Sequence, residues 1–323
     1  MTRARNSWRL CFMSNARSAP LDGLAAAKEL LGRAIMDVYG RLHAGALRSG
    51  DVVGERDIRP STPRRYLRHF VKQRTIFEDD ARIIGRFGHR QGAILDIGAH
   101  WGYLAASFRH AGADGAIVSF EPMRAHHACL RELRRLDPAY DFAPVGLSDR
   151  PRSITLYGPV VNGKAIMGLN SVNGSIFNEH HMGHLVSLLG GEIPLAAGYR
   201  FQLLTTPLEA RRLDDVLASR RLLVLPPFRV DTRRIGVIKI DVEGHEPEVL
   251  AGAEFTLATH RPFIMIESGN RNARVASYLA SLGYRYAERD GERLAETSSH
   301  STVANGFWFH GERIAEYRAM GLF

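Results

Sequence analysis

Four short apolar runs, each followed by a stretch of helical spacing, restrict this chain more than any other feature. They read AILDIG (93–98), AIVSF (116–120), IGVIKID (235–241) and PFIMIES (262–268). Each is too short for a core helix and shows no polar alternation, which is the pattern of a strand covered on both faces. Between them, GYLAASFRHAG from residue 102 and MRAHHACLRELRRL from residue 123 have the length and spacing of helices. RRLDDVLAS (211–219) and EPEVLAGAEFTLA (246–258) read the same way, Pro247 being tolerated in a first turn. Repeated strand–helix–strand units predict an α/β fold with a mostly parallel, doubly wound sheet. Two late strands, YRYAERD and NGFWFH, are expected as an antiparallel edge.

The 323 residues, 45% hydrophobic and 24% charged, suffice for a sizeable core. Cys11 and Cys129 stand alone, which argues against a disulfide framework or a cysteine zinc site and fits a reducing cytoplasm. No run approaches the roughly 18 apolar residues of a membrane span. The net charge of +9 is unevenly placed: residues 1–90 hold 18 Lys and Arg against 9 Asp and Glu, and the remainder is balanced.

Residues 1–77 therefore read as a basic extension, a disordered tail followed by a helix. In that helix Leu24, Ala27, Leu31, Ile35, Val38, Leu42 and Ala46 form one apolar stripe. The stripe is expected to pack on the body or on a second copy, and the charge to suit an anionic surface. No RNA module is recognisable there, so no specific nucleic acid is expected. Residues 78–323 form the sheet domain, and the non-periodic 159–199 reads as an inserted lid or substrate loop.

Ligands of an open parallel sheet bind where its strands end. After the first strand comes Asp96-Ile97-Gly98-Ala99-His100-Trp101-Gly102, a D-x-G-x-x-x-G turn. Gly98 and Gly102 let the backbone turn sharply, and the next helix opens toward the site. The spacing is wrong for a dinucleotide pyrophosphate. An acid at this turn suits instead a ligand with positive charge, such as the ammonium and sulfonium of S-adenosylmethionine. Glu121 ends the second strand, where a carboxylate can accept from both hydroxyls of a ribose.

A third constellation, IKIDVEGHEPEVLAGA (238–253), crowds Asp241, Glu243 and Glu246 around Gly244 and His245. Carboxylates so close repel one another and should bind a cation, a cationic ligand or protons. Taken in order, DIGAHWGYLA, VSFEP, RRLDDVL and IDVEGHEPEVLAGA resemble the FkbM family of S-adenosylmethionine-dependent methyltransferases over about residues 78–310. The resemblance implies a class I, Rossmann-like methyltransferase fold and O-methylation of a small-molecule, glycan or natural-product hydroxyl. It puts Asp96, Gly98 and Gly102 on the methionine-binding turn, Glu121 on the ribose, and Asp241 beside the transferable methyl. Ser148 and Asp149 fall where they can approach the adenine. His100 and Trp101 depart from the family's usual Asn and small apolar residue, and 159–199 is longer than its usual spacer.

Methyl transfer to oxygen needs a proton acceptor. His245 is the candidate, its flanking carboxylates expected to raise its pKa; Asp241 is the rival, as base or as one ligand of a divalent cation, with Glu243 alongside. A resident metal is not predicted, although His180, His181 and His184 include an i, i+4 pair that could ligate one. Asn170, Ser171 and Asn173 suit a hydroxyl-rich substrate. The competing readings are an RNA 2′-O-methyltransferase and a non-catalytic nucleotide-binding protein.

Overall fold

The structure is a computed structural model that describes residues 51–54, 64–161, 164–165, 170–172, 201–218, 228–267, 269–299 and 304–323. The basic tail, the 24–46 stripe, Asn173, His180, His181 and His184 lie outside the described residues. Chain packing divides the protein into two units, Met1–Pro60 with Leu156–Thr206, and Ser61–Thr155 with Pro207–Phe323.

Along the chain come β1 (Asp51–Gly54), α1 (Arg64–Gln73), α2 (Ala81–Ile84), β2 (Ala93–Ile97), α3 (Tyr103–His110) and β3 (Ile117–Phe120). Then follow α4 (His127–Leu136), β4 (Tyr140–Ala143), β5 (Gly146–Leu147), β6 (Arg152–Val161), β7 (Lys164–Ala165) and β8 (Phe201–Arg211). Next are α5 (Leu213–Ala218), β9 (Ile235–Ile240), α6 (Glu246–Ala251), α7 (Glu254–His260) and β10 (Phe263–Glu267). The last elements are α8 (Ala273–Ser281), β11 (Tyr284–Asp290), β12 (Arg293–Glu296), β13 (Asn305–His310) and α9 (Ile314–Ala319).

The second unit is built on a sheet of order β12-β11-β13-β10-β9-β2-β3-β4. From β4 to β10 its strands run parallel. β2, β3 and β9 are buried along their whole length, as a sheet with helices on both faces requires. Leu95, Ile97, Phe120, Ile238, Ile240 and Ile264 join Val249, Leu257 and Leu279 of the covering helices in one core. β13 inserts antiparallel between β10 and β11, the edge expected from the sequence. β12 adds a further antiparallel strand. The sequence hides it: RLAE is four residues long and buries only Leu294.

The unit begins at Ser61 and so takes in α1. Glu132 of α4 supplies the reason. Its side chain is 3% exposed and accepts from Arg68 Nε at 2.7 Å, with Arg64 and Arg135 on the same carboxylate. A charge buried this far needs partners, and α1 brings two of them.

In the first unit, β1 pairs in parallel with β8 from Asp51 to Gly54, and β6 pairs antiparallel with β7. Most of the expected lid falls outside the described residues; Ser171 bonds Tyr157 through both backbone groups at 2.8 Å. Among the described residues, no helix is long and apolar enough to cross a membrane.

Candidate active site

From β2 the chain proceeds to β3 on one side, whereas β9, on the other side, is reached only much later. The sheet therefore changes winding direction between β2 and β9, which is where an open parallel sheet is expected to form its ligand crevice, at the strands' carboxyl ends. Gly98 follows β2 and Asp241 follows β9, so both predicted motifs meet at this crevice.

The glycines serve packing as much as ligand access. Gly98 has φ +75°, and a Cβ there would lie 1.8 Å from the Asp241 carbonyl oxygen. Only glycine lets the turn rest against the end of β9. Gly102, at φ +85°, would bring a Cβ to 2.4 Å from Leu133 of α4. Between them His100 also takes a left-handed conformation, φ +53°, uncommon for a residue with a side chain. Gly98 N and Ala99 N both donate to Phe120 O, tying the turn to β3.

Asp96 is fully buried. Its Oδ2 accepts from Ser119 Oγ at 3.1 Å, and its Oδ1 lies 3.3 Å from Lys239 Nζ. Lys239, 2% exposed, also stands 3.4 Å from Asp241 Oδ2 and donates to Gly98 O at 2.9 Å. Burial pushes the Asp96 carboxyl up, with Lys239 and Ser119 pulling against it. Burial likewise opposes the Lys239 charge, but Asp241 and Asp96 outweigh it and hold the ammonium protonated. The pair is a charged foundation under the turn. Asp241, with 26% of its side chain exposed, is the acid that reaches the crevice.

Glu121 stands where expected, at the end of β3 and 5% exposed. His100 N donates to its Oε2 and Met123 N to its Oε1, each at 2.8 Å. An ionised carboxylate offers about four acceptor directions. Two remain, enough for a diol.

Ser148 is turned into the protein. It is fully buried, donates to Asp149 Oδ1 at 2.9 Å, accepts from Arg152 Nε, and lies 3.1 Å from His245 Nε2. Its hydrogen bonding is used up within the protein; Asp149, 32% exposed, is the open member of the pair. His245 is joined to Ser148. The ring is 7% exposed and its polar contacts go to Ser148 and to Glu248 at 3.6 Å. Burial lowers its pKa, with Glu248 opposing, contrary to the expected rise. His245 is a joint between the end of β5 and α6.

Glu246 braces its own turn: in the first turn of α6 its carboxylate accepts from Gly244 N at 3.0 Å. Asp241, Glu243 and Glu267 form a cluster whose carboxylate oxygens lie within 4.8 Å of one another. Glu243 projects from a left-handed backbone, φ +54°, ahead of Gly244 at φ +96°. Partial burial, together with Asp241 and Glu246, pushes it up to about 7. Burial and then Asp241 and Glu243 push Glu267 up to about 9. Close carboxylates share protons in this way, and the same three oxygens could hold a divalent cation.

Glu78 extends this acidic rim, and burial raises its pKa, with Lys239 opposing and Asp80 and Asp241 adding. Asn305 of β13, paired in register with Glu267, donates to Glu78 at 3.2 Å and to Asp80 at 3.0 Å. Lys239, Ser119, Glu267 and Glu78 are additions to the sequence reading. Two had signals: a lysine inside the otherwise apolar GVIKI, and an acid closing FIMIE as Glu121 nearly closes AIVSF.

A family profile described as the methyltransferase FkbM domain matches residues 96–286, more than half the chain. Among solved structures, the FkbM methyltransferase of Methylobacillus flagellatus KT is 14% identical with a TM-score of 0.39. That likeness covers 69% of this chain but 44% of the other, so the chain matches less than half the length of that relative. An O-methyltransferase from Bacillus cereus, solved in complex with SAH, is 12% identical with a TM-score of 0.30, over 87% of this chain and 90% of that one. The precorrin-6y C5,15-methyltransferase of Geobacter metallireducens GS-15 is 12% identical with a TM-score of 0.32, covering 73% and 94%. No curated protein matches the sequence significantly. With the profile spanning the glycine turn, Glu121 and the acidic cluster, the chain belongs to the FkbM methyltransferase family.

Proposed function

We propose that this protein methylates a hydroxyl of a sugar, glycan, glycolipid or natural product in the cytoplasm, with S-adenosylmethionine as donor. One observation carries the reading: the Asp241–Glu243–Glu267 cluster stands at the switch point, against a turn that Gly98 alone can make.

The residues suit the donor. Glu121 keeps two acceptor directions for a ribose diol, and the acidic rim, offset by Lys239, favours a cation. When bound, S-adenosylmethionine supplies a sulfonium methyl group open to attack by a nucleophile. Asp96 and Lys239 fix the turn from below, and Asp241 holds the acidic wall of the crevice. Asp149, open beside Ser148, is available to the base. Glu267, its pKa raised by burial and by Asp241 and Glu243, is placed to take the acceptor's hydroxyl proton.

Calorimetric titration with S-adenosylhomocysteine, with NAD as control, tests the donor. Micromolar binding, lost in Glu121→Ala and absent with NAD, is the expected result. A folded protein that binds neither compound would refute the proposal. Radiolabelled methyl transfer to a panel of hydroxylated glycans then tests the acceptor.

A further inference from the structure

Three histidines gather on the end of β3 that carries Glu121. His127 is accounted for, its Nε2 lying 2.8 Å from the Glu121 carbonyl oxygen. The other two are not. His126 is 3% exposed, and neither of its ring nitrogens has a hydrogen-bond partner. Its Nδ1 stands 3.4 Å from Glu121 Oε1, in ionic range without a bond. His100 packs against it, ring centroids 4.0 Å apart and planes 72° apart, and its Nε2 is likewise buried without a partner.

Buried polar atoms without partners are few in a folded protein, and a cluster of them beside a binding carboxylate calls for a partner. The ligand's chemistry follows from what surrounds it. Glu121 can only accept, and two backbone amides already occupy part of it. An imidazole can donate one N–H. A hydroxyl that gives its proton to the carboxylate keeps lone pairs for that N–H, so a hydroxyl between Glu121 and an imidazole pairs with both and partners one ring nitrogen. A vicinal diol does so twice.

We infer that His126, with His100 beside it, is a second ribose-binding residue, each ring donating to a hydroxyl whose proton goes to Glu121. This rests on the donor reading above and names two side chains that complete it. Glu121 is 5% exposed, so this role requires the two rings to turn aside as the ribose enters.

The test is calorimetric titration of the full chain with S-adenosylhomocysteine and with its 2′,3′-dideoxyribose analogue, for wild type, His126→Phe and His126→Gln. Thermal unfolding verifies that each variant is folded. Phenylalanine keeps the ring packing and removes both nitrogens, whereas glutamine keeps a donor. Loss of one hydrogen bond predicts about tenfold weaker binding of S-adenosylhomocysteine to His126→Phe. The dideoxy analogue should show almost no change, and His126→Gln should recover part of the loss. Equal weakening of both ligands, or of neither, would overturn the assignment and leave His126 as packing. Failure of the folded wild type to bind S-adenosylhomocysteine would instead remove the donor reading itself, and this role with it.

Discussion

Replacing Lys239 by methionine tests whether the site stands on a buried charge pair. Lys239 is 2% exposed and Asp96 fully buried, with 3.3 Å between ammonium and carboxylate oxygen. Methionine fills much the same volume and takes the cation away. Removing one partner of a buried pair typically costs about 3–5 kcal/mol, because the other charge stays behind unpaired. Gly98 O also loses its donor. Asp96 then has no cation close to it, and its folded pKa rises further above the unfolded value of about 3.9. The folded chain holds a proton that the unfolded chain releases. Stability is accordingly retained at low pH and lost as pH climbs from about 4 toward the new folded pKa, by about 1.4 kcal/mol per unit. Urea unfolding at pH 5 and pH 8 reads both effects in the midpoint at constant slope. The double variant Lys239→Met with Asp96→Asn removes the stranded charge and keeps a group for Ser119, so it should return to within about 2 kcal/mol of wild type. A single variant that loses less than about 1 kcal/mol at pH 8, with no rescue in the double, would refute the charged foundation.

Two further outcomes concern catalysis. Glu267 acts only when deprotonated, so turnover should rise with pH between the cluster's values of about 7 and about 9, and Glu243→Gln should move that limb to lower pH by removing a like charge. Glu267→Gln should lower turnover about 100-fold or more with little change in S-adenosylhomocysteine affinity, measured by single-turnover methyl transfer and calorimetry. His245→Phe should cost about 1–3 kcal/mol of stability by stripping Ser148 of a partner, yet slow turnover less than tenfold. A loss of 100-fold or more with stability intact would restore His245 as the base.

The sheet and its switch point are legible in the sequence because continuous apolar strands between helices admit few topologies. Glu121 is legible for a related reason: an acid directly after AIVSF can only emerge at a strand end. The roles of Asp96 and His245 are not. Asp96 looks like a ligand contact until Lys239 is known to lie beneath it, and that neighbour is 143 positions away on another strand. His245 adjoins the acids in sequence, but Glu243 and Gly244 are both left-handed, and two such residues in succession turn the chain so that neighbours diverge. Glu267 closes a strand that the resemblance left without a role. Its partners Asp241 and Glu243 come from the neighbouring strand end, so only the β9–β10 pairing discloses the cluster.

The place of β13 bears on how the protein is made. This strand lies between β10 and β11, although both precede it in the chain. During synthesis, residues 263–267, FIMIE, emerge well before their neighbour at 305–310 exists. Until then β10 offers an apolar, unpaired edge, the kind that recruits foreign strands. Asn305, which joins Glu78 and Asp80 across from Glu267, arrives on that same late strand. The nascent chain therefore ties Glu78 and Asp80 to the sheet and covers its exposed edge in one event, and a chain cut short before residue 305 keeps that edge open to foreign strands.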